Sequence, residues 1–127
     1  MTAWYATLRR PLLTPPDWIF SPVWTALYIM IATAIVLYYR SSHKPRLWLT
    51  TTVLGVHLLA NLSWTYLFFG LRSPALALVD IAILDITLVL LFRWFGKTNR
   101  LAGLLLLPYL LWVLFATYLN VGFYRLN

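Results

Sequence analysis

The 127-residue chain contains no cysteine. Disulfides, thiolate nucleophiles, iron–sulfur clusters and cysteine zinc sites are therefore excluded. Acidic side chains are scarce: Asp17, Asp80 and Asp85 are the only three. Histidine occurs twice, at His43 and His57, which is too few for a multi-histidine metal centre. No metal site is expected. No Ser-His-Asp set, phosphate loop or His-Glu pair appears with usable spacing. The start of the chain, MTAWYATLRRPLLTPP, lacks an apolar core followed by small residues, so no cleavable leader is expected. Charged residues make up 10% of the chain, against about 25% in a soluble domain. That shortage excludes disorder, a nucleic-acid-binding tail and an ordinary soluble enzyme.

What fills the chain instead is apolar: 62% of residues are hydrophobic, in four long runs. These cover residues 18–39, 47–71, 75–92 and 101–124. Each approaches the roughly 20 residues that cross about 30 Å of hydrocarbon at 1.5 Å per residue. None alternates as a barrel strand would, and an open sheet leaves its edge groups unsatisfied in lipid. The expected fold class is an all-α membrane protein, a bundle of four transmembrane helices. Residues 1–127 form one domain in this reading, with 1–17 as an N-terminal loop. Pro15-Pro16, Ser41–Pro45, Gly70–Pro74 and Gly96–Arg100 punctuate the runs. The links are short, so sequential helices are expected to be antiparallel neighbours.

The net charge of +7 comes from basic residues in the gaps: Arg9-Arg10, Arg40, Lys44, Arg46, Arg72, Arg93, Lys97, Arg100 and Arg125. That placement suits lipid headgroups rather than nucleic acid. The gaps at 40–46 and 93–100 hold six of these side chains and the other end holds four. The positive-inside rule puts the richer end in the cytoplasm.

Seven tryptophans stand among the apolar runs. Trp18, Trp48 and Trp94 lie at span ends, where an interfacial belt is expected. Trp24, Trp64 and Trp112 lie inside, and their indole N–H groups need partners. Helical spacing groups Phe20, Trp24 and Tyr28 on one face of the first span. It groups His57, Asn61, Trp64 and Phe68 on the second, and Tyr109, Trp112, Ala116 and Asn120 on the fourth. Such stripes serve interhelical packing. Three together also fit a cavity for a flat, mostly apolar ligand with a few polar handles. Asp80 and Asp85 are about 140° apart around their helix and face different surroundings. A carboxylate within a membrane is expensive and suggests function, though Asp80 also suits a structural hydrogen bond. His57 as a haem ligand is the weaker alternative to a plain hydrogen-bonding role.

Five segments resemble the TspO/MBR family, which includes the translocator protein and the tryptophan-rich sensory proteins. They are Trp4-Tyr5 with Leu8 and Pro11, PPDWIFSPVWTALY (15–28), NLSWTYLFFG (61–70), ALALVD (75–80) and PYLLWVLFATYLN (108–120). They run in family order over nearly the whole chain. Family members have five helices, and by this likeness the first is absent here, leaving residues 4–17 as the loop that caps a cavity. The resemblance implies a multi-pass protein of a bacterial or outer mitochondrial membrane. It implies binding of porphyrins (protoporphyrin IX or haem), sterols and benzodiazepine-site compounds, and a homodimer in membrane lipid. No obligatory cofactor follows from it. Pocket positions carry over to Tyr5, Pro15, Trp24, Asn61, Asp80, Trp112 and Ala116. His57 stands where the family often has Gln or Asn. With Phe20 and Tyr28 from the spacing, these make the expected ligand-binding set. Arg9 and Arg10 are candidates for contacts to porphyrin propionates. Sterol recognition is weakly written: Arg125 is present, but Tyr118 lies seven residues before it. Light- and oxygen-dependent porphyrin degradation, with Trp24 and Trp112 as catalytic residues, is an alternative. So is proton-coupled transport through Asp80, and so is a structural membrane partner with no small ligand.

Overall fold

A computed structural model describes residues 3–127. A short helix α1 (Ala3–Ala6) precedes four long ones. These are α2 (Asp17–Arg40), α3 (Leu47–Thr65, extended by a π-helical turn Tyr66–Gly70), α4 (Pro74–Thr98) and α5 (Arg100–Leu126). Counting the π-turn with α3, they hold 24 to 27 residues. At 1.5 Å per residue each reaches about 36–40 Å, enough for the hydrocarbon core and part of each interface. All four are long and apolar enough to cross a membrane. Their outward faces carry exposed Ile29, Leu59, Ile86 and Leu111, the pattern of helices solvated by lipid. Trp18 and Trp48 are exposed at the helix ends, as an interfacial belt requires.

Two expectations change. The loop at 1–17 contains a helical turn, α1. The third span runs six residues past Phe92, to Thr98, and leaves only Asn99 before α5. Packing explains the extension. Phe95 stacks on Tyr38 at 4.5 Å and 8°, and Gly96 and Gly103 let α4 and α5 run close together up to the turn. A Cβ added at Gly103 would stand 2.6 Å from Gly96 Cα. Asn99 then caps α5, its side-chain oxygen accepting from the Leu101 and Ala102 amides at 3.0 and 3.2 Å.

Neighbour relations also differ from the short-link expectation. α4 packs on α5, α3 on α4, and α2 on α5. The sequential pair α2 and α3 makes no extensive packing contact. They are joined across a gap by side-chain hydrogen bonds, Tyr39 to Thr51 at 2.6 Å and Tyr28 to Asn61 at 3.1 Å. The six-residue link, 41–46, permits adjacency, but Tyr28 and Tyr39 span the distance to Asn61 and Thr51 in place of close backbone packing.

Candidate functional site

A cavity of about 310 Å³ occupies the half of the bundle beneath the N-terminal segment. Helix α2 contributes Phe20, Trp24 and Tyr28, one side chain per turn. Helix α3 and its π-turn contribute Asn61, Trp64, Thr65, Phe68 and Phe69. Helix α4 supplies Ile81 and Leu84, and α5 supplies Trp112, Val113, Phe115, Ala116, Leu119 and Phe123. Tyr5 reaches in from α1. The wall is aromatic: Trp24 and Trp112 meet edge to face at 6.4 Å, and Phe20 meets Trp112 at 6.0 Å. Trp64 stacks on Phe68 at 5.0 Å and 17°.

Of the sequence-predicted set, Tyr5, Phe20, Trp24, Tyr28, Asn61, Trp112 and Ala116 converge on this wall. Pro15, His57 and Asp80 lie off it. Pro15 belongs to the segment leading into α2. His57 is buried in the bundle centre, with Nδ1 2.7 Å from Thr87 Oγ1 and Nε2 2.8 Å from the Tyr109 hydroxyl. Both ring nitrogens are thus engaged by protein. Asp80 is one residue, and so about 100°, away from wall residue Ile81. It is buried, and its Oδ2 has no hydrogen-bond partner among the described residues. Asp85 differs: Thr117 Oγ1 lies 3.1 and 2.8 Å from its two oxygens.

Polar groups at the wall are tied together. The Tyr28 hydroxyl donates to Asn61 Oδ1 at 3.1 Å, and Asn61 Nδ2 donates to the Tyr109 hydroxyl at 2.6 Å. Trp64 donates to Asn120 Oδ1 at 2.9 Å, and Asn120 Nδ2 donates to the Pro74 carbonyl at 2.9 Å. Of the inner tryptophans, Trp112 has a buried Nε1 without a partner among the described residues. Tyr109 and Asn120, which helical spacing placed on the wall, stand behind it as braces.

The segment before α2 closes one end as a lid. Tyr5 is buried against Phe69 at 5.6 Å and Phe123 at 5.3 Å. Burial pushes its phenol pKa up; the nearby Arg10 opposes that rise and Asp17 adds to it. Arg10 sits 4.7 Å over the Tyr5 ring and 3.4 Å from Asp17. Its guanidinium is therefore engaged within the lid, and neither Arg9 nor Arg10 lines the cavity. Tyr118 donates to the Leu12 carbonyl at 2.6 Å, and the Asn127 amide holds the Arg9 backbone at both N–H and C=O, each 3.0 Å away. Pro11 packs against Gly122, where a Cβ would come within 2.4 Å of it.

Four membrane-length helices around an aromatic cavity, closed at one end by a pinned segment, define a helical membrane protein with an internal ligand-sized chamber. Comparison with known proteins narrows the class. The family model described as TspO/MBR family matches residues 1–125. The Tryptophan-rich protein TspO of Chlorobaculum tepidum is 44% identical over 125 residues, covering 98% of this chain and 79% of that protein. The protein of the same name from Archaeoglobus fulgidus is 42% identical over 127 residues, covering 98% and 80%. The human Translocator protein is 33% identical over 132 residues, covering 98% and 75%. The chain belongs to the TspO/MBR family and is an integral membrane protein.

Proposed function

We propose that the cavity binds a flat, mostly apolar ligand of the porphyrin class, and that sterols and benzodiazepine-site compounds compete for the same space. The observation that carries this reading is the convergence of Trp24, Trp112 and Phe20 with Asn61 and Tyr28 on one chamber. Ring faces supply sequence-independent stacking on any planar π-system. The hydroxyl and amide supply orientation. A volume near 310 Å³ is at the small end of ligand pockets, about 300–1,000 Å³. A tetrapyrrole therefore seats its macrocycle among the rings and keeps its propionates toward the lid or the α2–α3 gap. No obligatory cofactor enters this reading. Family likeness supports a homodimer as the working unit in the bilayer, which in-membrane crosslinking checks.

Titration with protoporphyrin IX, followed by quenching of tryptophan fluorescence, tests the reading. Wild type should saturate, and Trp112→Ala should bind about tenfold more weakly, the loss of one aromatic contact and its buried area. Equal, non-saturating quenching in both would mean partition into detergent and would overturn it.

One observation favours a second reading. The indoles of Trp24 and Trp112 both line the cavity, 6.4 Å apart. A light-excited porphyrin beside them takes an electron from an indole, and dioxygen takes that electron from the porphyrin as superoxide. The indole radical cation then oxidises the macrocycle and is restored. Bleaching of bound protoporphyrin under illumination should then slow in Trp24→Phe and Trp112→Phe. An unchanged rate removes the enzymatic reading and leaves binding intact.

A further inference from the structure

The hydrogen bonds between α4 and the cavity run in one direction only. Thr87 Oγ1 lies 2.8 Å from the Ile83 carbonyl and 3.2 Å from that of Leu84. A carbonyl only accepts, so the threonine proton is spent there. Thr87 must then accept from His57 Nδ1, at 2.7 Å. An imidazole inside a hydrocarbon-embedded bundle is neutral, because a charge there is costly. With its one proton on Nδ1, the ring offers Nε2 as an acceptor. The Tyr109 hydroxyl donates to it at 2.8 Å. Having spent its proton, Tyr109 accepts from Asn61, and only the Nδ2 side of that amide donates. Oδ1 is thereby turned toward Tyr28, whose proton it takes.

We propose that this relay, Ile83–Thr87–His57–Tyr109–Asn61–Tyr28, presents the Tyr28 hydroxyl to the cavity as an acceptor, so that the site favours ligands with a hydroxyl or N–H at that edge. His57 and Thr87 are positioning residues in it. They lie off the cavity wall, yet they decide which way a wall amide faces. Tyr28 lines the cavity and is 49% exposed, and with its proton given to Asn61 its hydroxyl has only lone pairs left to offer a ligand. This inference rests on the reading that the cavity takes a flat apolar ligand.

Removing the imidazole reverses the edge. In His57→Leu the Tyr109 proton has one acceptor left, Asn61 Oδ1. The amide turns over, Nδ2 donates to the Tyr28 oxygen, and the Tyr28 proton is released toward the ligand. No wall residue changes. In His57→Gln the side-chain carbonyl accepts from Tyr109 while its N–H donates to Thr87, which keeps the original direction.

Two probes of similar shape test this: 1-hydroxypyrene, which donates, and 1-methoxypyrene, which only accepts. Binding is measured in lipid nanodiscs and corrected for partition into protein-free discs. Wild type and His57→Gln should prefer the hydroxyl compound by about tenfold, the value of one hydrogen bond in a dry site. His57→Leu should lose or reverse that preference. A preference ratio is insensitive to a general loss of stability. Nitrogen-15 NMR of the His57 ring, in a His43→Gln background, gives a ligand-free check and should find the proton on Nδ1. A proton on Nε2, or the same preference in wild type and His57→Leu, overturns the relay and leaves the cavity reading standing. Absence of saturable binding by protoporphyrin IX and both probes overturns the cavity reading itself, and the ligand selectivity with it.

Discussion

The two halves of the bundle are built from the same helices and pack in opposite ways. Toward the α4–α5 turn, small residues and one stacked pair close the interior. Ala34 and Ala102 are fully buried, Gly96 meets Gly103, and Tyr38 lies flat on Phe95. Toward the lid, Phe20 and Trp24 each meet Trp112 edge to face, Trp64 stacks on Phe68, and these bulky rings leave a chamber. Glycine and alanine contacts bring backbones together at one end, whereas the bulk of indole and phenyl rings holds the helices apart at the other. Close packing thus supplies stability at one end and permits a vacancy at the other.

Substitutions aimed at each half sharpen that contrast. The largest effect is expected at the closed end. Gly103→Ala places a methyl 2.6 Å from Gly96 Cα and 2.9 Å from its nitrogen, both backbone atoms that cannot step aside. Thermal unfolding in detergent should show a loss of about 1–3 kcal/mol or more, with protoporphyrin affinity in the surviving fold little altered. At the open end, Trp64→Phe keeps the stack on Phe68 but strands Asn120 Oδ1. A smaller loss of about 1–2 kcal/mol follows, read in the same melt. At the lid, Gly122→Ala pushes on Pro11 rather than on helix backbone. Its melting point should barely move, while stopped-flow entry of protoporphyrin quickens several-fold.

The smallest effect is electrostatic. Burial raises the Tyr5 pKa in the closed lid above its ordinary 10.0. Protons are therefore bound more tightly in the closed form. Closure is fully supported below pH 10.0 and weakens as the pH climbs through the raised value. Ligand entry should accelerate over that alkaline range in wild type and stay flat in Tyr5→Phe.

Much of this contrast is written in the sequence. The four-residue spacing of Phe20, Trp24 and Tyr28 turns one face of α2 to the chamber, and Asn61 with Trp64 does the same on α3. On α5 the spacing groups Tyr109, Trp112, Ala116 and Asn120; Trp112 and Ala116 line the chamber, Tyr109 and Asn120 stand behind it, and Phe115 and Leu119 join the wall instead. Periodicity finds a stripe but does not fix its centre when a helix is apolar all round. The π-helical turn hid Phe69, because an extra residue per turn brings neighbours onto one side that 3.6-residue counting separates. His57 and Asp80 were legible as unusual groups, and their depth was not. Whether a polar group faces a cavity or braces it from behind depends on partners such as Thr87 and Tyr109, thirty and fifty-two residues away. The Gly96–Gly103 contact, which closes the other half, had no signal beyond two glycines near a turn.

The central claim is that a planar ligand sits between α2, α3 and α5, against Ala116. The chain lacks cysteine, so a single thiol introduced as Ala116→Cys reports on that space alone. Its alkylation by N-ethylmaleimide should slow as protoporphyrin IX is added and saturate with binding, while Ser42→Cys, in the exposed loop between α2 and α3, reacts at an unchanged rate. Equal reactivity of Ala116→Cys with and without saturating protoporphyrin would contradict the account.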